Sequence, residues 1–300
     1  QQFFFTAFGL QIHQVSGISR IHLQFMSYLP CCDVLWVGSY PFVKVPVTNG
    51  MLAHFPQLPQ LNKRELMLTQ LQLALKRKDF SFAPRSAACW KSSLQKTKGD
   101  FFKTQLAGPL TAGKPAGWIN HAKWQIGEIQ KKSLQPILVL DEPILTDPTS
   151  AEISYLKKNV LELKRTGALI GIHTCNDTNI KALLETGVNL VNFDAIHYPE
   201  RLISAKIELQ NFMRTGGLVG WGIISTTEIP QIHALRCVEE GFLGILSSLV
   251  HFGLPLSNIL AQSMIAPVCG TGNLKVSEAK QVLKATTTVS KNLKIRYNIA

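Results

Sequence analysis

The chain predicts an α/β protein built as a single eight-stranded parallel β/α barrel, and three observations carry that expectation. From residue 33 onward, short runs of strand character alternate with longer stretches of helical spacing almost to the C-terminus. Eight strand runs can be counted, the number that closes a β/α barrel. No GxGxxG loop follows the first of them, which removes the dinucleotide-binding form of an open doubly wound sheet.

The strand runs, in order, are "DVLWVGS" (33–39), "LAHFPQL" (52–58), "FFKTQLAGP" (101–109), "PILVLDEP" (136–143), "GALIGIHTC" (167–175), "VNLVNFDA" (188–195), "GGLVGWGI" (216–223) and "AQSMIAPVCG" (261–270). Between them, "NKRELMLTQLQLALKRK", "SAEISYLKKNVLELKR", "RLISAKIELQNFMR" and "VSEAKQVLKATTTVSKNL" have helical apolar spacing and few breakers. Ile232, Leu235, Phe242, Ile245, Leu246 and Leu249 mark a further helix packed on a core. Gly167, Gly187 and the Gly216–Gly217 pair punctuate the returns from helix to strand. Residues 31–300 are read as the barrel and 1–30 as an N-terminal extension without assigned structure. Its opening "QQFFFTAFGL" is apolar but has no basic n-region, so it does not read as a signal peptide.

Composition narrows the function classes. The 46% hydrophobic content in 300 residues suits a sizeable core. The most apolar stretch, "GFLGILSSLVHFGLPL", is interrupted by Ser, His, Gly and Pro, so no membrane span is expected. The net charge of +12 comes from lysines and arginines scattered over solvated helix faces, without aromatic interleaving, and nucleic-acid binding is not expected. Six unevenly spaced cysteines do not form a secreted disulfide framework, which points to the cytoplasm and leaves thiols available for metal or redox chemistry.

One short motif stands out. In "GIHTCND" an imidazole and a thiol are two residues apart, and alternation along a strand turns His173 and Cys175 to the same side. Eight histidines and six cysteines in 300 residues would give roughly 0.16 His-x-Cys pairs by chance. In a β/α barrel, reactive groups gather where the strands end. Ser39, Gln105, Asp141, Glu142, His173, Cys175, Asp194, Trp221, Gly222 and Cys269 all fall at or near such ends. His173, Cys175, Asp194 and Cys269 then form a candidate tetrahedral zinc set of two thiolates, an imidazole and a carboxylate, since soft sulfur disfavours magnesium and calcium. His197 is a neighbouring alternative to Asp194, and Trp221 a candidate pocket wall.

These motifs, in this order, resemble the catalytic barrel of the cobalamin-independent methionine synthase family, in the superfamily shared with uroporphyrinogen decarboxylase. "VGSYPF", "LAGPLT", "VLDEPIL", "GIHTC" and "APVCGTG" carry the likeness over residues 33 to 294. The resemblance implies that His173, Cys175 and Cys269 hold Zn2+, that Asp194 stands where the family has a glutamate ligand, and that Ser39 and Asp141 face homocysteine, with Asp141 and Glu142 as the catalytic carboxylates. It implies methyl transfer to a zinc-activated thiol, making methionine. The likeness is to the short, single-barrel type, for which a methyl-corrinoid is the expected donor ahead of methyltetrahydrofolate. The alternatives are a corrinoid-protein methyltransferase acting on another thiol such as coenzyme M, and a barrel retained as a binding or scaffold protein. A small-molecule thiol, and for some of these readings a corrinoid protein, are the expected partners.

Overall fold

Six of the eight expected strand runs become neighbours in one parallel sheet. A computed structural model of the protein describes residues 24–29, 34–38, 75–77, 94, 101–271 and 274–298. The strands are β1 (Gln24–Leu29), β2 (Val34–Gly38), β3 (Phe101–Ala107), β4 (Gln135–Asp141), β5 (Leu169–Thr174), β6 (Leu190–Asp194), β7 (Leu218–Ile224) and β8 (Ser263–Pro267). Their order across the sheet is β2-β1-β8-β7-β6-β5-β4-β3. From β3 to β8 each strand pairs in parallel with the next in sequence, and this six-stranded sheet curves as a half-barrel.

The closed barrel of eight parallel strands expected from the sequence is not formed. β1, which lies inside the stretch 1–30, joins β8 in parallel over the two pairs Gln24↔Met264 and Phe25↔Ile265, while β2, the "DVLWVGS" run, is antiparallel to β1. Only residues 30–33 separate β1 from β2. A link that short can only turn back as a hairpin, because a parallel crossover takes a dozen residues or more. Among the described residues no ladder joins β2 to β3. The run "LAHFPQL" and the bulk of the helical stretch 62–78 lie outside the described residues.

Helices α1 (Trp118–Gln130), α2 (Ser150–Lys164), α3 (Ile180–Glu185), α4 (Pro199–Ser204), α5 (Lys206–Arg214), α6 (Leu235–His251), α7 (Leu256–Ala261) and α8 (Val276–Arg296) connect or follow the parallel strands. α2 begins at a capping box: the Thr149 hydroxyl accepts from the Glu152 N–H, and the Glu152 carboxylate accepts from the Thr149 N–H. The expected helix at 201–214 is two helices, broken at Ala205. Gly167, Gly187 and Gly216 hold φ of 84°, 77° and 92°, the left-handed conformation that closes a helix before its strand. The apolar stretch 241–256 ends α6 and starts α7, with Gly253 (φ 88°) between them. Among the described residues no helix is long and apolar enough to cross a membrane.

Strand alternation divides the interior into two layers. Ile170, Ile172, Val191, Phe193 and Trp221 face the helices in the larger core, with Leu156, Leu183 and Phe242 among their partners. A smaller cluster of Ile137, Val139, Leu190, Leu218, Met264 and Ala266 fills the other face. His173, Asn192 and Asp141 keep phase with this second set, two or four residues along their strands. The polar row is therefore stacked on an apolar floor.

Candidate metal centre

His173 and Cys175 share a face because they are two residues apart along β5 and its extension. Cys269 arrives from the end of β8, three strands away in the sheet and 94 residues on in the chain. The ligand-capable atoms of His173, Cys175 and Cys269 all lie within 4.8 Å of one another. His173 is buried and both cysteines are half-buried. The loop carrying Cys175 is pinned on both sides. The Asn176 amide donates to the Pro143 carbonyl, the Asn179 N–H to the Thr146 carbonyl at 2.9 Å, and Arg201 pairs through two nitrogens with Asp177.

The imidazole is held from behind. His173 Nδ1 is 2.7 Å from Asn192 Oδ1, and Asn192 Nδ2 donates to the Gly220 carbonyl at 2.9 Å. His173, Asn192 and Gly220 are register partners across β5, β6 and β7. Gly220 leaves room for this amide: a Cβ there would sit 3.0 Å from Asn192 Nδ2. Asn192 belongs to none of the motifs read from the sequence. The available signal was a polar residue in phase with Asp194 inside the otherwise apolar strand "LVNFD".

The other expected site residues separate into distinct places. Asp141, paired in register with His173, puts Oδ1 3.9 Å from His173 Nε2 and stands beside the trio. Asp194 is not part of the converging group. Its Oδ1 accepts the N–H groups of Ile196 and His197, each at 2.9 Å, and its Oδ2 lies 2.6 Å from His197 Nδ1, so the carboxylate organises the turn after β6. Trp221 is turned to the helix layer, where it is fully buried against Phe193 and Phe242 and donates to Ser263 Oγ at 2.7 Å. The structure does not bring it to the thiols. Gln105 lies lower on β3, accepting from the buried Lys103 ammonium at 3.0 Å. Ser39 lies outside the described residues.

Glu142 follows Asp141 but serves the neighbouring turn. Its Oε1 accepts the Leu110 N–H at 2.9 Å, and its Oε2 accepts the Thr111 N–H at 2.8 Å and hydroxyl at 2.6 Å. The side chain lies over Gly108, where a Cβ would come within 2.2 Å of it, which is why the "LAGPLT" turn needs glycine there. Burial pushes the Glu142 carboxyl up to about 7, against the lowering effect of its three donors, and the nearby charge of Asp141 adds to the rise.

Two thiols and an imidazole are donors suited to zinc, and His173, Cys175 and Cys269 would hold it. A tetrahedron with bonds of about 2.3 Å has edges of about 3.8 Å, so a trio already within 4.8 Å fits the ion with a contraction of at most about 1 Å. The fold and site together describe a parallel α/β sheet that brings together, at its strand ends, a His–Cys–Cys group that could hold a metal ion. Neither protein-family models nor curated proteins match the chain.

Proposed function

We propose that the protein is a zinc-dependent methyltransferase that carries a methyl group to a thiol, homocysteine being the acceptor that gives methionine. The convergence of His173, Cys175 and Cys269 from two distant strands supports this reading above all else. Zinc held there would lower the pKa of an incoming thiol so that it ionises near neutral pH. Asp141, beside the trio and shielded from water, is placed to pair with the ammonium group of an amino-acid thiol. Methyl transfer forms a sulfur–carbon bond on the acceptor, breaks the donor's bond to the methyl carbon, and releases the thiol proton. A methyl-corrinoid or methyltetrahydrofolate is the donor under this reading. Six unevenly spaced cysteines without a secreted disulfide framework suit a reducing compartment, and we place the protein in the cytoplasm.

Metal analysis joined to X-ray absorption at the zinc edge tests this. One zinc per chain is expected, with one more sulfur in its shell after homocysteine is added. A protein purified without zinc that fails to take it up, or a shell unchanged by homocysteine, refutes the reading. Methyl transfer assayed with homocysteine and with coenzyme M separates the two acceptors.

A further inference from the structure

We infer that Asn192 is a positioning residue that selects which nitrogen of His173 is offered to the metal. The Asn192 amide can lie only one way round, because the Gly220 carbonyl is an acceptor and requires the NH2 group opposite it. Reversing the amide would set two acceptor oxygens about 2.9 Å apart in a place closed to water. Oδ1 therefore faces His173, and Nδ1 must carry the proton donated across the 2.7 Å contact. In the neutral ring, Nε2 is then left with its lone pair. Asp141 Oδ1, 3.9 Å from Nε2, is beyond hydrogen-bond reach and does not hold a proton on that nitrogen. Ring orientation and tautomer follow from one side chain on β6 and one carbonyl on β7.

The metal role rests on the zinc reading above, whereas the tautomer belongs to the imidazole with or without metal. The test uses both. Nitrogen-15 spectra of the metal-free wild-type protein should show the neutral His173 ring protonated at Nδ1. Asn192→Leu, similar in size but without an acceptor, should lose that preference and bind zinc about 10- to 100-fold more weakly in chelator competition, the scale of a lost partner behind a metal-ligating histidine. Asn192→Asp, whose buried carboxyl can hold a proton towards the Gly220 carbonyl in place of the amide NH2, keeps an acceptor and should retain the Nδ1–H ring, with zinc affinity within a few-fold of wild type. Cys175→Ser should lose zinc while keeping the tautomer.

A wild-type ring protonated at Nε2, or an Asn192→Leu variant that binds zinc as tightly as wild type, overturns the inference. If Asn192→Leu does not fold, the wild-type spectrum and Asn192→Asp decide. A wild-type protein that binds no zinc, even with Nδ1 protonated, overturns the metal reading and the role of Asn192 in it.

Discussion

Replacing Glu142 by glutamine should make the protein more sensitive to acid, although glutamine has no proton to gain. The reason lies in two buried groups whose titrations oppose each other. Burial moves Glu142 from the ordinary 4.5 up to about 7, so the folded state holds a proton that the unfolded chain releases. Stability from this group is full below about 4.5 and is lost as pH rises through about 7. Burial moves His121 from 6.5 down to about 4, so the folded state refuses a proton that the unfolded chain accepts. Its contribution is full above 6.5 and is lost as pH falls towards 4. At about 1.4 kcal/mol per pH unit, each span is worth up to about 3.5 kcal/mol. Between pH 4.5 and 6.5 the two slopes cancel in the parent.

Glu142→Gln leaves the His121 slope unopposed, so the variant should lose roughly 2–3 kcal/mol relative to the parent between pH 6.5 and 4.5. A further pH-independent loss of about 1–3 kcal/mol is expected because the glutamine NH2 meets an N–H donor at Leu110 or Thr111. Urea denaturation at half-unit pH steps, with chelator present so that metal linkage adds no slope, measures both. His121→Leu should show the mirror image, gaining on the parent as pH falls. A Glu142→Gln curve parallel to the parent within about 0.5 kcal/mol across that range would refute the reasoning, since burial would then not have moved the carboxyl.

Cys175→Ser and Cys269→Ser should each abolish tight zinc binding with the fold retained, while Cys237→Ser, an exposed residue of α6, should leave zinc content unchanged in metal analysis. Asp141→Asn should keep zinc and weaken homocysteine binding by about 1.5–3 kcal/mol, with little effect on a thiol lacking an amino group; calorimetric titration of both thiols checks this. Trp221→Phe removes the bond to Ser263 Oγ and some core volume. It should cost about 1–3 kcal/mol in urea unfolding and leave zinc affinity untouched, because the ring lies in the helix layer.

What could be read from the sequence was local and periodic. Alternation along "GALIGIHTC" places His173 and Cys175 on one face whatever surrounds them, and the apolar runs of β3 to β8, with Gly167, Gly187 and Gly216 returning three of the helices, define parallel β/α units one by one. Closure is a different matter, because it depends on how the ends of the sheet are used. Pairing β1 with β8 and folding β2 back as a hairpin occupied the edge that a parallel first strand would have needed. Cys269 could be grouped with His173 and Cys175 as a strand-end residue, but their approach to within 4.8 Å belongs to the curved sheet, in which β8 lies three strands from β5. Asn192 and Asp194 show the limit most plainly. They sit on the same strand and the same face, one pleat repeat apart, so alternation cannot choose between them. The turn after β6 offered two N–H groups and an imidazole to the Asp194 carboxylate, while the Gly220 carbonyl two strands from β5 turned the Asn192 oxygen towards His173. Those partners are set by register between strands, and register is a property of the assembled sheet.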